Sequence, residues 1–383
     1  MKLITLLRNL RKRFSKYTHT IEVLISKDNI LENLKEYKTK YSDFSFAPVL
    51  KSNAYGHGLI EVAKILDKEN SPFFVVDSLY EARLLRHHKI KTEILIIGYT
   101  MLKNVQNYNS VNFIFTVVSL EELRILAEKI HKNTRIHLKI DTGMHRQGIL
   151  MSKIDEAIKL IKSNQYLVLE GVCSHLADAD AQDKTFTERQ LSNWRKVVKI
   201  FRGEFTHIKY FHISATSGVS LVDKEFTNLI RLGIGLYGIN LANDSDLDLK
   251  PALAMKSTIS TLRDLEKGEC VGYNHIYTLE ERAKIATVPT GYFEGVDRRL
   301  SNLGFFKIKN DFAKIAGRVS MNMTSIDVSH ISGLKIGDEV VVISEKSEDE
   351  NSVVNIAKKI NTIPYEILVH IPSALHRKVV KNI

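Results

Sequence analysis

Residues 47–59 read APVLKSNAYGHGL: an apolar run, a lysine where the run stops, then a turn with two glycines. An ordinary strand-to-helix turn would explain it, with glycine reaching positive φ and the lysine lifted to the surface. An amine placed at a strand end for chemistry would explain it too. Repetition separates the two readings. Short apolar, β-branched or aromatic runs recur at Ala47–Leu50, Phe73–Val76, Ile94–Ile97, Phe113–Val117, Ile136–Ile140, Val168–Val172, Ile208–Ile213 and Leu229–Ile230. Between them, SLYEARLLRHH, SLEELRILAEKI and KIDEAIKLIKSN space their apolar residues three or four apart, as helices do. Eight strand–helix alternations in about 200 residues predict a (β/α)8 TIM-type barrel, with an open doubly wound sheet as the alternative.

In a barrel the strand ends meet at one mouth, where such folds place their chemistry. They are Lys51, Asp77, Gly98, Thr116, Lys139 with Asp141, Ser174 with His175, His212 with Ser214, and Arg231. Each could be structural alone; an amine, imidazoles and a guanidinium at successive strand ends point to a pocket. Past residue 240, NLANDSDLDLKP reads as a linker. KSTISTL, RAKIATVPTGYF, FAKIAGRVSMNMTSIDVS and GDEVVVIS then predict a smaller C-terminal β domain, with one late helix near Val353–Ile360. The expected division is a basic segment 1–20, a barrel 21–245 and a β domain 246–383.

The net charge of +11 is concentrated at the start. Lys2, Arg8, Arg11, Lys12, Arg13 and Lys16 precede the first acid, Glu22, and Leu3, Leu6, Leu7, Leu10 and Phe14 fall at helical spacing. This predicts a basic amphipathic helix, read as packed on its own protein, with a membrane or nucleic-acid foothold as the alternative. Its apolar runs are too short for a signal peptide, and nothing else suggests nucleic acid. No apolar run is long enough to span a membrane. Two cysteines, Cys173 and Cys270, cannot build a disulfide framework, which fits a reducing, cytoplasmic setting.

VLKSNAYGHG, KIDTGMHRQG, RLGIGLYG, VGYN and TGYFEGVDRR occur in the order and approximate spacing of the alanine racemases, a resemblance running from about residue 20 to the end. It implies a pyridoxal 5'-phosphate barrel joined to a β domain, and a homodimer whose active sites are shared between subunits. By position, Lys51 resembles the lysine that carries the cofactor and serves as one base, and Tyr55 the tyrosine that holds its phosphate. Thr216, Gly233 and Ile234 would complete the phosphate site, and Arg231 would face the pyridine nitrogen. Tyr273, supplied by the partner, is implied as the second base. A tyrosine titrates near 10 unless positive charge lowers it, and His175 with Arg231 is the implied network that does so. The resemblance further implies a carbamylated lysine at Lys139 pairing with Arg146, which orients the substrate carboxylate. Tyr292 and Met321 would line the substrate position; no metal is implied.

Departures from the family pattern are Phe293 and Glu294 for alanine-aspartate, Asn322 for aspartate, Asn274 for glycine, and Ala215-Thr216 for asparagine-serine. Ser373 stands where some members have a further phosphate tyrosine. The implied activity is interconversion of L- and D-alanine, supplying D-alanine as a peptidoglycan precursor. Alternatives are a racemase for serine or a larger amino acid, and a non-catalytic carrier of the cofactor. A decarboxylase-type barrel is disfavoured by Arg231 at the pyridine position.

Overall fold

The computed structural model describes residues 18–108, 113–241 and 246–383. Of the basic segment expected at 1–20, residues 1–17 lie outside the described residues. All eight expected runs form barrel strands: Ser45–Pro48, Phe74–Val76, Ile94–Ile96, Phe113–Val117, Thr134–Asp141, Leu167–Cys173, Tyr210–His212 and Leu229–Leu232. Strands two to seven form one parallel ladder, and strand eight pairs in parallel with strand one. Parallel bridges Val49–Val75 and Ala215–Arg231 join the two ladders into a ring. The strands read as continuous apolar runs because both faces are covered, by barrel side chains within and helices without.

The helices Leu79–His87 and Leu120–Lys129 begin where serine accepts a backbone N–H, Ser78 from Glu81 and Ser119 from Glu122. The alternation expected after every strand stops after the seventh. Strands seven and eight lead instead into 3₁₀ turns, Thr216–Leu221 and Ile234–Tyr237, where Gly218, Gly233, Gly235 and Gly238 disfavour a longer helix.

The second unit is built on a nine-stranded sheet among the described residues, in the order Thr261–Leu265, Ala283–Val288, Thr324–Asp327, Asp311–Ile315, Phe305–Ile308, Glu339–Ile343, Leu253–Thr258, Glu22–Ser26, Arg377–Val380. Glu22–Ser26 pairs antiparallel with Leu253–Thr258 and parallel with Arg377–Val380. The span read as barrel from residue 21 therefore opens with a strand of the other sheet. The run FAKIAGRVSMNMTSIDVS splits into two strands around a loop, and the late helix Val353–Lys359 is followed by a second, Pro364–Val369.

Candidate active site

The barrel mouth holds a cavity of about 450 Å³. Its floor takes one residue from each strand or its end: Val49, Val75, Ile97, Thr116, Lys139, Cys173, His212 and Arg231. The floor is thus apolar along strands one to three and polar along four to eight. Lys51, Tyr55, Arg146, His175, Thr216, Gly233 and Ile234 line the walls. Twelve of the candidate site residues named from the sequence meet here, Thr116, Ser174 and His212 among them.

Lys51 opens a turn unlike that of any other strand. Ser52, Asn53, Ala54 and Tyr55 all lie in the left-handed region, at φ 55°, 56°, 51° and 52°. Each costs about 1–2 kcal/mol relative to the right-handed conformation. The surroundings hold the turn: Ser52 N donates to Glu81 Oε1 at 2.7 Å, and Asn53 Oδ1 accepts from Leu59 N at 2.9 Å. Gly56 follows at φ 81°, where a Cβ would lie 2.0 Å from the Leu368 carbonyl oxygen. Only glycine permits that approach.

The turn aims Tyr55 into the pocket. Its ring packs between Tyr237 and Tyr365, at centroid distances of 5.2 and 5.8 Å. Burial, and then Tyr365, raise its pKa, so its hydroxyl remains a donor. Thr216 Oγ1 accepts from the N–H groups of Gly233 at 3.0 Å and Gly235 at 3.3 Å. A Cβ on Gly233 would lie 3.1 Å from the Tyr55 hydroxyl and 3.6 Å from Thr216 Oγ1. The missing side chain leaves a small polar recess between two hydroxyls and backbone amides, suited to an anion.

Arg231 is 7% exposed and heavily committed. One terminal nitrogen donates to His212 Nδ1 and to the His212 carbonyl oxygen; the other donates to His175 Nδ1 and to the carbonyls of Ser174 and Ile213. Among the described residues its Nε–H alone makes no hydrogen bond. Because a guanidinium only donates, both imidazole Nδ1 atoms must accept, and each ring carries its proton on Nε2. Burial and then the Arg231 charge keep both rings neutral: His175 is lowered to about 3, and His212 well below its ordinary value.

Lys139 is lowered by burial, with Arg231 and Arg146 adding repulsion, and donates to Gln147 Oε1 at 3.2 Å. Thr116 Oγ1, buried in the same floor, has no hydrogen-bond partner.

Some expected residues stand elsewhere. Asp77, Gly98, Asp141 and Ser214 do not line the cavity. Asp141 instead orders its own loop, accepting from the N–H groups of Gly143 and His145. Ser373 is outside as well, and Tyr365 forms that wall. The tyrosine went unread because TIPYEIL carries only the proline expected at a helix start. Tyr273, Tyr292 and Met321 are 66%, 43% and 54% exposed. They lie with Ile276, Phe293, Leu303 and Met323 on turns of the second unit, an exposed apolar face. Asp297, Glu366 and His370 cluster with metal-ligating atoms, but Arg299 already donates to both carboxylates, at 2.7 and 3.1 Å.

No helix among the described residues is long and apolar enough to cross a membrane. The profile of the alanine racemase N-terminal domain matches residues 25–241, and that of the C-terminal domain matches 252–379. Alanine racemase 2 of Caldanaerobacter subterraneus subsp. tengcongensis is 33% identical over 356 residues, 90% of this chain and 91% of that protein. An alanine racemase of Clostridium perfringens is 32% identical over 366 residues, 94% and 95% of the two chains. Among solved structures, alanine racemase of Clostridium difficile 630 superposes with TM-score 0.87 at 31% identity, covering 95% of this chain and 97% of the other. That of Bacillus anthracis with bound L-Ala-P gives 0.88 at 25% identity, covering 96% and 97%. By both its domains and its relatives along nearly its whole length, this chain belongs to the alanine racemase family.

Proposed function

We infer that the chain interconverts L- and D-alanine with pyridoxal 5'-phosphate seated in the barrel mouth. The observation that carries the reading is the meeting of Lys51, the Tyr55–Thr216–Gly233 recess and Arg231 around one cavity. The residues fit the cofactor: an amine to bind it covalently, an anion recess for its phosphate with Ile234 beside it, and a free Nε–H for its ring nitrogen. When bound, the cofactor withdraws electrons from the substrate α-carbon and makes its C–H bond acidic. Arg231 keeps its own proton and so offers the ring a hydrogen bond, which limits that withdrawal and favours rapid return of the α-proton.

Lys51 Nζ, once released to act as a base, exchanges the α-proton on one face of the substrate. Tyr273 of the partner subunit serves the other face, with His175 and Arg231 supplying the polar surroundings that ease loss of its phenolic proton. The exposed apolar face around Tyr273, Tyr292 and Met321 supports a head-to-tail homodimer, in which it covers the other subunit's mouth. Tyr80, Tyr99 and Met101, 74%, 63% and 65% exposed, follow the ends of the second and third barrel strands. Tyr292 of the partner subunit would bond the substrate carboxylate, and its Met321 would restrict the side-chain pocket.

Lys139, a depressed amine among guanidinium groups, has the chemistry to add to carbon dioxide. Its nitrogen lone pair forms the C–N bond, a C=O electron pair moves to oxygen, and one N–H proton leaves to solvent. The resulting carbamate would pair with Arg146 and hold it toward the substrate carboxylate.

Asn322 donates to Glu294 Oε1 at 2.6 Å, and Glu294 Oε2 accepts from Gly291 N at 2.8 Å. These two departures from the family pattern therefore bond to each other and brace the Tyr292 turn. Free Cys173 and Cys270 agree with a cytoplasmic place for the enzyme. The test is α-proton exchange by NMR in D2O across a panel of L-amino acids, with the chirality of each recovered. Exchange with inversion on alanine is expected. Inversion only on a larger amino acid would overturn the substrate, and no exchange would leave a cofactor carrier.

A further inference from the structure

The Arg231 network does not end at His212. On its far side, His212 Nε2 lies 2.8 Å from Nδ1 of His137, a fully buried imidazole on the fifth strand. The proton assignment propagates. Arg231 donates into His212 Nδ1, so the His212 proton is on Nε2 and is donated to His137 Nδ1. The His137 proton is then forced onto its own Nε2, a buried atom with no hydrogen-bond partner.

An unpaired buried donor is a cost, and the alternative tautomer would avoid part of it only by setting two donors against each other. The fold also makes room for this ring. Gly171 on the sixth strand sits where a Cβ would meet the His137 ring at 2.7 Å, and Phe73 packs edge-on against it at 5.4 Å. Of the charged groups near it, Arg135 below and Arg231 above both oppose protonation of His137, behind burial as the first cause. His137 can accept from His212 and cannot give its proton back.

We propose that His137 is a positioning residue for Arg231, the end of a one-way hydrogen-bond chain, Arg231 to His212 to His137, that keeps the guanidinium's Nε–H turned into the cavity. Its functional half rests on Arg231 facing the cofactor ring; the tautomer chain itself does not. With the chain intact, both terminal nitrogens of Arg231 stay engaged and Nε–H remains for the ligand. Without the His137 acceptor, His212 is free to move its proton to Nδ1, where it would confront Arg231 donor to donor.

The test has two arms. In 15N-histidine-labelled protein as purified, His212 and His137 should both be neutral with the proton on Nε2, unchanged between pH 8 and 5; substitution of each identifies its resonance. His212 protonated on Nδ1, or charged, would overturn the chain whatever the enzyme's substrate proves to be. In the second arm, His137→Leu should weaken pyridoxal phosphate binding and lower kcat about tenfold each, with the alanine KM little changed. His137→Asn places a carbonyl oxygen where Nδ1 was and should restore both to within about twofold. Equal losses in Leu and Asn would show that His137 only fills space. The first arm needs no variant to fold with full stability.

Discussion

The barrel mouth and the exposed turns of the second unit were equally visible as motifs, yet the structure treats them in opposite ways. Lys51, Tyr55, Arg231 and their neighbours are drawn into one cavity, where hydrogen bonds hold Arg231 and the Thr216–Gly233 recess. Tyr273, Tyr292 and Met321 stand out from the surface, far more exposed than an aromatic or methionine gains from. On the function proposed above, that outward face is what a second copy would bury, and the predictions below test it.

The strongest test of the buried half is Lys51→Ala. It should cut racemisation roughly 10⁴-fold and remove the visible absorbance of the lysine-bound cofactor; an unchanged spectrum would break the assignment. The outward half is tested by mixing. Lys51→Ala and Tyr273→Phe should each be inactive alone. Unfolded and refolded together, they should recover about a quarter of normal activity, because half the dimers are mixed and each mixed dimer holds one intact site. No recovery would place Lys51 and Tyr273 in the same subunit's site.

Acid separates the halves next, since the histidines with strongly depressed pKa values all lie in the barrel unit. His57 is lowered to about 4, His137 and His175 to about 3, and His212 well below its ordinary value, burial being the main cause each time. A histidine with a depressed folded pKa stabilises the fold above about pH 6.5, and that contribution is lost as pH falls toward the folded value. Unfolding at pH 5 should take up about four more protons from these residues than at pH 8. An uptake near zero would mean they are charged when folded. The smallest effect belongs to the outer face. Met323→Ser, at a position 53% exposed, should change the subunit's own stability by less than about 0.5 kcal/mol while weakening dimerisation at low concentration. A large loss of subunit stability would show that the face packs within its own chain.

Legibility followed range. All eight barrel strands could be read because each is a local apolar run closed by a polar residue, and the cavity followed because parallel strands align those closing residues. Tyr365 could not be read, since it reaches the pocket from the other unit on a helix with nothing to mark it. The left-handed turn at Ser52–Tyr55 was equally hidden: serine, alanine and tyrosine do not announce positive φ, and the conformation is imposed by Glu81 and the Leu368 carbonyl. The hairpin joining Phe305–Ile308 to Asp311–Ile315 was missed because Lys309-Asn310 turns the chain without the glycine that usually signals it.

The strand Glu22–Ser26 sets a timetable. It leaves the ribosome early, yet one neighbour is Leu253–Thr258 and the other is Arg377–Val380, and the Ser26 hydroxyl donates to a carbonyl 355 residues further on. At about 5–20 residues per second, translation makes that strand wait roughly 20–70 s for its last partner. The barrel can form in the interval, but the grip on its Lys51 turn cannot. Arg377, which donates to the Gly56 carbonyl at 2.9 Å, is made 321 residues later. A nascent chain truncated before it would hold a barrel without this clasp on the Gly56 turn.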